Sequence, residues 1–101
     1  MILTGRHVSA EEGVQLGFVN EVVPHEQLMS AAMNWAQQII ACAPLSIRAS
    51  KDVVYKSLDS ASLQDAMEAK YASVQAMVGS TDFIEGPKAF AEKRPPNWQG
   101  K

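Results

Sequence analysis

The chain has 101 residues, 47% of them hydrophobic, with 11 acidic side chains against 9 basic ones. That length makes one domain at most, or a piece of one, and folding buries roughly 65% of the surface such a chain exposes when unfolded, so a single core is feasible but small. A net charge of −2 leaves no basic face to neutralise a phosphate backbone, which argues against general nucleic-acid binding, and no apolar run approaches the ~20 residues that span a bilayer. Aromatic residues are sparse while Ala and Met are plentiful, a mix that favours closely packed helices over a β sandwich.

The first residues, MILTGRHVS, turn polar too soon for a secretory signal. Ser9 to Glu12 reads S-A-E-E, a capping box in which the Ser9 hydroxyl accepts from the Glu12 amide while the Glu12 side chain reaches back. A short helix should follow and stop at Gly17, which suits the left-handed position past a helix end. Phe18 to Val23 is rich in β-branched residues and is closed by Pro24, which predicts one short strand. A lone strand has no partner for its hydrogen bonds, a first hint that part of the structure lies elsewhere.

After Pro24 the apolar positions Leu28, Ala32, Trp35, Ile39 and Ala43 step by threes and fours, predicting an amphipathic helix that ends near Cys42 with Trp35 in its core. Cys42 is the sole cysteine and cannot form an intrachain disulfide, which suits a reducing cytoplasm. Its neighbours Ile40, Ala41 and Ala43 make it read as a small buried hydrophobe rather than a nucleophile. Pro44 fits the first turn of the next helix, where Ile47, Ser50, Val54 and Leu58 repeat the spacing. Asp59 to Ser62 is a turn with good capping residues. Leu63, Met67, Tyr71, Val74 and Val78 then mark one long helix ending at Gly79-Ser80. Thr81 or Asp82 starts a last helix with Pro87 in or near its first turn, and Pro95-Pro96 forbids continuation past Arg94. The expected fold is therefore mainly α, with about five helices and one short strand.

Little in this pattern is catalytic. His7 and His25 are far apart with no ligand-spaced Cys or carboxylate, so no metal site is expected. There is no phosphate-cradling glycine loop and no nucleophile elbow. Glu26, Glu68, Glu85 and Glu92 read as solvated or as ion-pair partners. The basic residues are uneven: Lys88, Lys93, Arg94 and Lys101 crowd the last fourteen positions with only Glu92 against them. This is either a solvated helix end placed against the negative pole of the helix dipole or a site for a small anion. Trp98, beyond the double proline, must rest on this chain's body or on a neighbour.

Three stretches together carry a resemblance. LTGRHVSAEEGVQLGFVNEVVP, APLSIRASKDVV and STDFIEGPKAFAEKRPPNWQG resemble the C-terminal region of the enoyl-CoA hydratase/isomerase family, also called the crotonase family. Typical members carry L-T-G-R-x-I-S-A-x-E-A-x-x-x-G-L-V-N-x-V-V-P, then A-P-x-A-x-x-x-x-K, then S-x-D-x-x-E-G-x-x-A-F-x-E-K-R-x-P-x-F. The match covers essentially all of residues 1–101. Gly13 stands where Ala is usual, a loss of up to ~1 kcal/mol of helix propensity, and Trp98 replaces Phe.

The resemblance implies a helical region appended to an upstream β/α spiral core. That core would supply the oxyanion hole and the acid/base carboxylates, so no catalytic residue is expected among these 101. It implies homo-oligomers, trimers or dimers of trimers, in which the last helix reaches a neighbour's coenzyme A site. Phe90 would lie near the acyl/pantetheine pocket or equally in the trimer core, and Lys93 near the nucleotide phosphate; spaced three apart, they would share a helix face. Arg94 would serve as a dipole partner or interface residue, and Trp98 would pin the tail to the body. The substrate would be a coenzyme A thioester, with no other cofactor, nucleic acid or membrane as partner, and the setting cytoplasmic. Two other readings stay open: a stand-alone helical interaction module, and a non-catalytic acyl-CoA binder.

Overall fold

A computed structural model describes residues 1–101 and shows a mainly helical chain. Six α-helices and one 3-10 turn follow in order: α1 (Ala10–Gln15), the 3-10 turn His25–Gln27, α2 (Leu28–Ile40), α3 (Pro44–Ser57), α4 (Leu63–Glu68), α5 (Ala72–Val78) and α6 (Thr81–Ala91). The chain divides into two units, Met1–Trp35 and Ala36–Lys101, with the division inside α2.

In the first unit α1 starts as its sequence predicts, with Ser9 Oγ accepting from the Glu12 amide at 3.2 Å. The reciprocal half of the capping box is absent. The Glu12 carboxylate is held instead by both terminal nitrogens of Arg6, at 2.6 and 3.0 Å. At the other end Gly17 adopts φ 84°. Gly17 donates to the Val14 carbonyl and Phe18 to that of Gly13, the two bonds that close a helix through a left-handed residue. A Cβ on Gly13 would lie 2.7 Å from Val19 Cγ2 and 3.1 Å from the Phe18 ring. So the residue that costs helix propensity makes room for the chain folding back over the helix end.

The expected strand at Phe18–Val23 does not form. The amides of Phe18 and Val19 are taken by the Gly13 carbonyl, at 3.1 and 3.2 Å, and no second strand exists to accept the others. β-branched composition describes a surface that fits a sheet; without a neighbouring strand it creates none. Trp35, expected in the core, is 43% exposed and donates its indole N–H to Glu21 at 2.8 Å.

In the second unit Pro44 occupies the first turn of α3, where its missing N–H is harmless. The expected stripe of α3 is not its buried one. Ala49 is buried and Asp52 and Val53 are half-buried against α5, whereas Val54 and Leu58 face outward. Asp52 ties the two helices, accepting from Ser73 Oγ at 2.6 Å and pairing with Lys56 one turn on at 2.8 Å. Cys42, expected to be buried, is exposed, its Sγ turned to the Gln38 carbonyl.

The single long helix predicted over residues 63–78 is two. Ser62 caps α4 as expected, accepting from the Asp65 amide at 3.0 Å. At Ala69 the backbone turns extended (ψ 142°), and α5 starts afresh after Tyr71. No glycine or proline marks the break, so periodicity runs through it. The interruption strands the Ala66 carbonyl, which an unbroken helix would pair with the Lys70 amide; the Tyr71 hydroxyl donates to it instead, at 2.9 Å.

Candidate functional site: the exit of α6

The approach to α6 is tightly specified. Ser80, buried, accepts from the Phe83 amide at 3.2 Å and gives its own hydroxyl proton to Met77 O at 2.6 Å. Pro87 is the seventh residue of the helix, in its second turn rather than its first. It removes the bond that Phe83 O would accept. Gly86, with no Cβ to meet the proline ring, eases that junction. It also leaves space for the Trp98 ring, which a Cβ there would approach to 3.3 Å.

Beyond Ala91 the helix closes through Glu92 and Lys93. Lys93 N donates to Phe90 O at 3.2 Å and Arg94 N to Ala89 O at 3.1 Å, the same pair of bonds that ends α1. Here the left-handed position is filled by lysine, at φ 54°. An L-residue there costs about 1–2 kcal/mol relative to its right-handed form, so surrounding contacts must hold it. Lys93 thus stands in the turn after α6 and does not share a helical face with Phe90.

The contacts that hold the turn radiate from Arg94. Its Nη1 and Nη2 clasp the two oxygens of Glu85 at 2.6 and 3.0 Å, and its Nε meets Glu92 Oε2 at 2.6 Å. Glu85 also accepts from the Asn97 amide at 2.8 Å. The Arg94 fork, foremost, with the Asn97 amide, holds the Glu85 carboxyl at about 2, well below its ordinary 4.5. Arg94 is raised in turn, chiefly by Glu85 and then by Glu92.

The tail then runs back along α6. Asp82, only 3% exposed, receives the Gln99 and Gly100 amides on its two oxygens at 2.7 and 2.8 Å. Thr81 donates through both its amide and its hydroxyl to Lys101 O, at 2.8 and 2.6 Å. Trp98 Nε1 donates to Ala41 O at 2.8 Å. The tail is pinned to the body through Trp98, as the sequence led us to expect.

Charge is thereby sorted. Arg94 is neutralised by two carboxylates, while Lys93 and Lys88 make no ion pair. Phe90 is 87% exposed on α6. The structure places Phe90 and Lys93 at the same helix end, both open to solvent. A depression of about 310 Å³ between α6 and the tail is lined by Asp82, Glu85 and Lys88, its carboxylates already engaged by backbone amides and Arg94. No group of three His, Cys, Asp or Glu side chains is placed to hold a metal, and no helix is long and apolar enough to cross a membrane.

Glu85 is the residue whose part the sequence alone did not reveal; it reads there as one isolated carboxylate among four. The usable signal was Pro95-Pro96. A tail forced out of helix must find acceptors for its amides, and the acids of the preceding helix are nearest.

Comparison with known proteins places this architecture. The sequence pattern described as enoyl-CoA hydratase/isomerase matches residues 1–101. The chain is 39% identical to the carnitinyl-CoA dehydratases of Salmonella typhi and Salmonella agona over 105 aligned residues, covering all of this chain and 40% of theirs. It thus spans about two fifths of the length of these curated relatives. Among solved structures, the enoyl-CoA hydratase from Mycobacterium tuberculosis H37Rv superposes with a TM-score of 0.88 at 32% identity, over 98% of this chain and 39% of that one. The enoyl-CoA hydratase from Bacillus anthracis gives 0.88 at 30% identity, over 99% and 38%. A helical chain with a clasped terminal turn, matched along its whole length in sequence and in fold, belongs to the enoyl-CoA hydratase/isomerase family.

Proposed function

We propose that this chain is the C-terminal helical region of an acyl-CoA hydratase or isomerase, contributing to oligomerisation and to part of a coenzyme A site. In the intact protein, water adds across the 2,3-double bond of an enoyl thioester, or a related thioester enolate is formed. The oxyanion donors and acid/base carboxylates lie outside these 101 residues. Within them the best-placed carboxylates are committed: Asp82 and Glu85 to the tail, Asp52 to α3 and α5. The protein works in the cytoplasm as a homo-oligomer, a trimer or a dimer of trimers, and no cofactor is needed beyond the coenzyme A of the substrate.

One observation carries the reading: a lysine without an ion-pair partner held in left-handed conformation at the exit of an amphipathic helix, beside an arginine whose charge is consumed. An ammonium with no carboxylate partner is open to a phosphate, and Phe90 supplies apolar cover one turn before it. The test is Lys93→Ala in the intact protein. Coenzyme A binding should weaken about tenfold or more, the size of one charge-assisted bond, while a pantetheine thioester lacking the nucleotide keeps its affinity. Equal loss for both ligands would remove Lys93 from the phosphate.

A second reading, a helical interaction module without catalysis, draws on the exposed apolar residues of α2 and α3, among them Met29, Ile40 and Val54. Turnover of an enoyl thioester by the intact protein would exclude it.

A further inference from the structure

We infer that Glu85 is a positioning residue for Lys93, setting the preference for a ligand that carries a phosphate; the inference rests on the coenzyme A reading above. Glu85 touches no ligand in this scheme and acts through the turn. Three observations converge on it. First, Lys93 is the only residue other than glycine with positive φ, and it occupies the position that glycine fills after α1. Held there by its own two backbone bonds alone, a lysine is disfavoured. Second, Glu85 grips both sides of that residue's exit. Its two oxygens take the Arg94 fork and one also takes the Asn97 amide, so a single carboxylate fixes the residue after Lys93 and the chain beyond the double proline. Third, the grip selects which cation stays available. Arg94 and Lys93 are adjacent, and an unpaired guanidinium would compete for any anion at this end. With Glu85 and Glu92 on Arg94, only Lys93 of the two is left to meet it.

The consequence is specific. Removing the Glu85 charge leaves Arg94 with Glu92 alone, loosens the turn and lets Lys93 leave its left-handed conformation. The contact with the nucleotide part of the ligand weakens, and the pantetheine and acyl parts are untouched. A merely structural carboxylate would affect both parts alike.

The experiment uses the intact protein and four variants, with coenzyme A and a pantetheine thioester as probes. Glu85→Gln should weaken coenzyme A binding about tenfold, raise KM for the acyl-CoA with kcat unchanged, and spare the pantetheine thioester. In the double variant Glu85→Gln with Lys93→Ala, binding should be no weaker than in Lys93→Ala alone, because the two changes remove one contact. Arg94→Lys keeps the charge and loses the fork, so it should show the same pattern more mildly and serves if Glu85→Gln folds poorly. Equal loss for both probes, no loss for either, or additive losses in the double variant would each overturn the positioning role while leaving Lys93 itself on the phosphate. A Lys93→Ala variant with full coenzyme A affinity would instead bring down the reading on which the inference stands.

Discussion

Under the proposal above Lys93 meets a phosphate; what the structure shows is that its backbone is strained. At φ 54° it holds a conformation that suits glycine. Lys93→Gly should therefore raise stability by about 1 kcal/mol, read as a higher urea midpoint, while abolishing any preference for a phosphate-bearing ligand. Lys93→Ala should lose the same preference without gaining stability, which separates the backbone cost from the charge. Glu85 makes a second claim testable at this scale. Its carboxyl lies at about 2, below the 4.5 it has when free, so it binds fewer protons folded than unfolded just above that value. The stability it contributes is therefore complete above pH 4.5 and is lost as pH falls through about 2. The tail, followed by the Trp98 indole N–H resonance, should stay docked at pH 4 and loosen as pH 2 is approached. In Glu85→Gln that acid step should be missing. Ser9, Gly17 and Ser62 were legible in the sequence because a cap is a local device, a hydroxyl or a glycine at a fixed offset from the helix it bounds; the cap of α6, expected at Thr81 or Asp82, is Ser80 instead. The Glu85–Arg94 clasp was not, because it joins residues across a turn whose direction only the fold defines.

Helices that end on local signals were readable; those that end on tertiary ones were not. Pro44 marked the start of α3, but nothing marked the break between α4 and α5, where the stripe through Leu63, Met67, Tyr71 and Val74 continues unbroken in the sequence. The break coincides with a change in packing: α5 lies along α3, with Ser73 bonded to Asp52, whereas α4 touches α3 only sparsely. Tyr71 makes the break tolerable by covering the stranded Ala66 carbonyl. Tyr71→Phe should cost about 1 kcal/mol in denaturant unfolding with helix content by circular dichroism nearly unchanged. A larger loss of helix would mean that the hydroxyl holds more than this one joint. The missing strand at Phe18–Val23 teaches the converse, since composition can suit a sheet that the chain does not contain.

At the scale of the whole chain, the apolar pattern is that of a protein with a core, yet only Ala49 and Ala89 among its hydrophobic residues are buried. Ile2, Leu3, Ile40, Leu58, Leu63, Met67 and Phe90 are each more than two thirds exposed. Stripes that correct periodicity predicted as buried face outward, because periodicity reports which face is apolar and says nothing about what covers it. A chain of this kind, prepared alone, should self-associate with rising concentration in sedimentation velocity and leave crotonyl-CoA at background turnover. Clear turnover by these 101 residues alone would place the reacting groups within them, against our proposal.

The anchoring of Trp98 has a practical side. Its indole is bonded to the carbonyl of Ala41, and the next residue is the exposed thiol of Cys42, the chain's sole cysteine. A fluorophore attached by maleimide at that sulfur would sit beside a natural electron-donating quencher. Emission would then brighten whenever the terminal segment lifts away, giving an optical report of docking without any engineered second label.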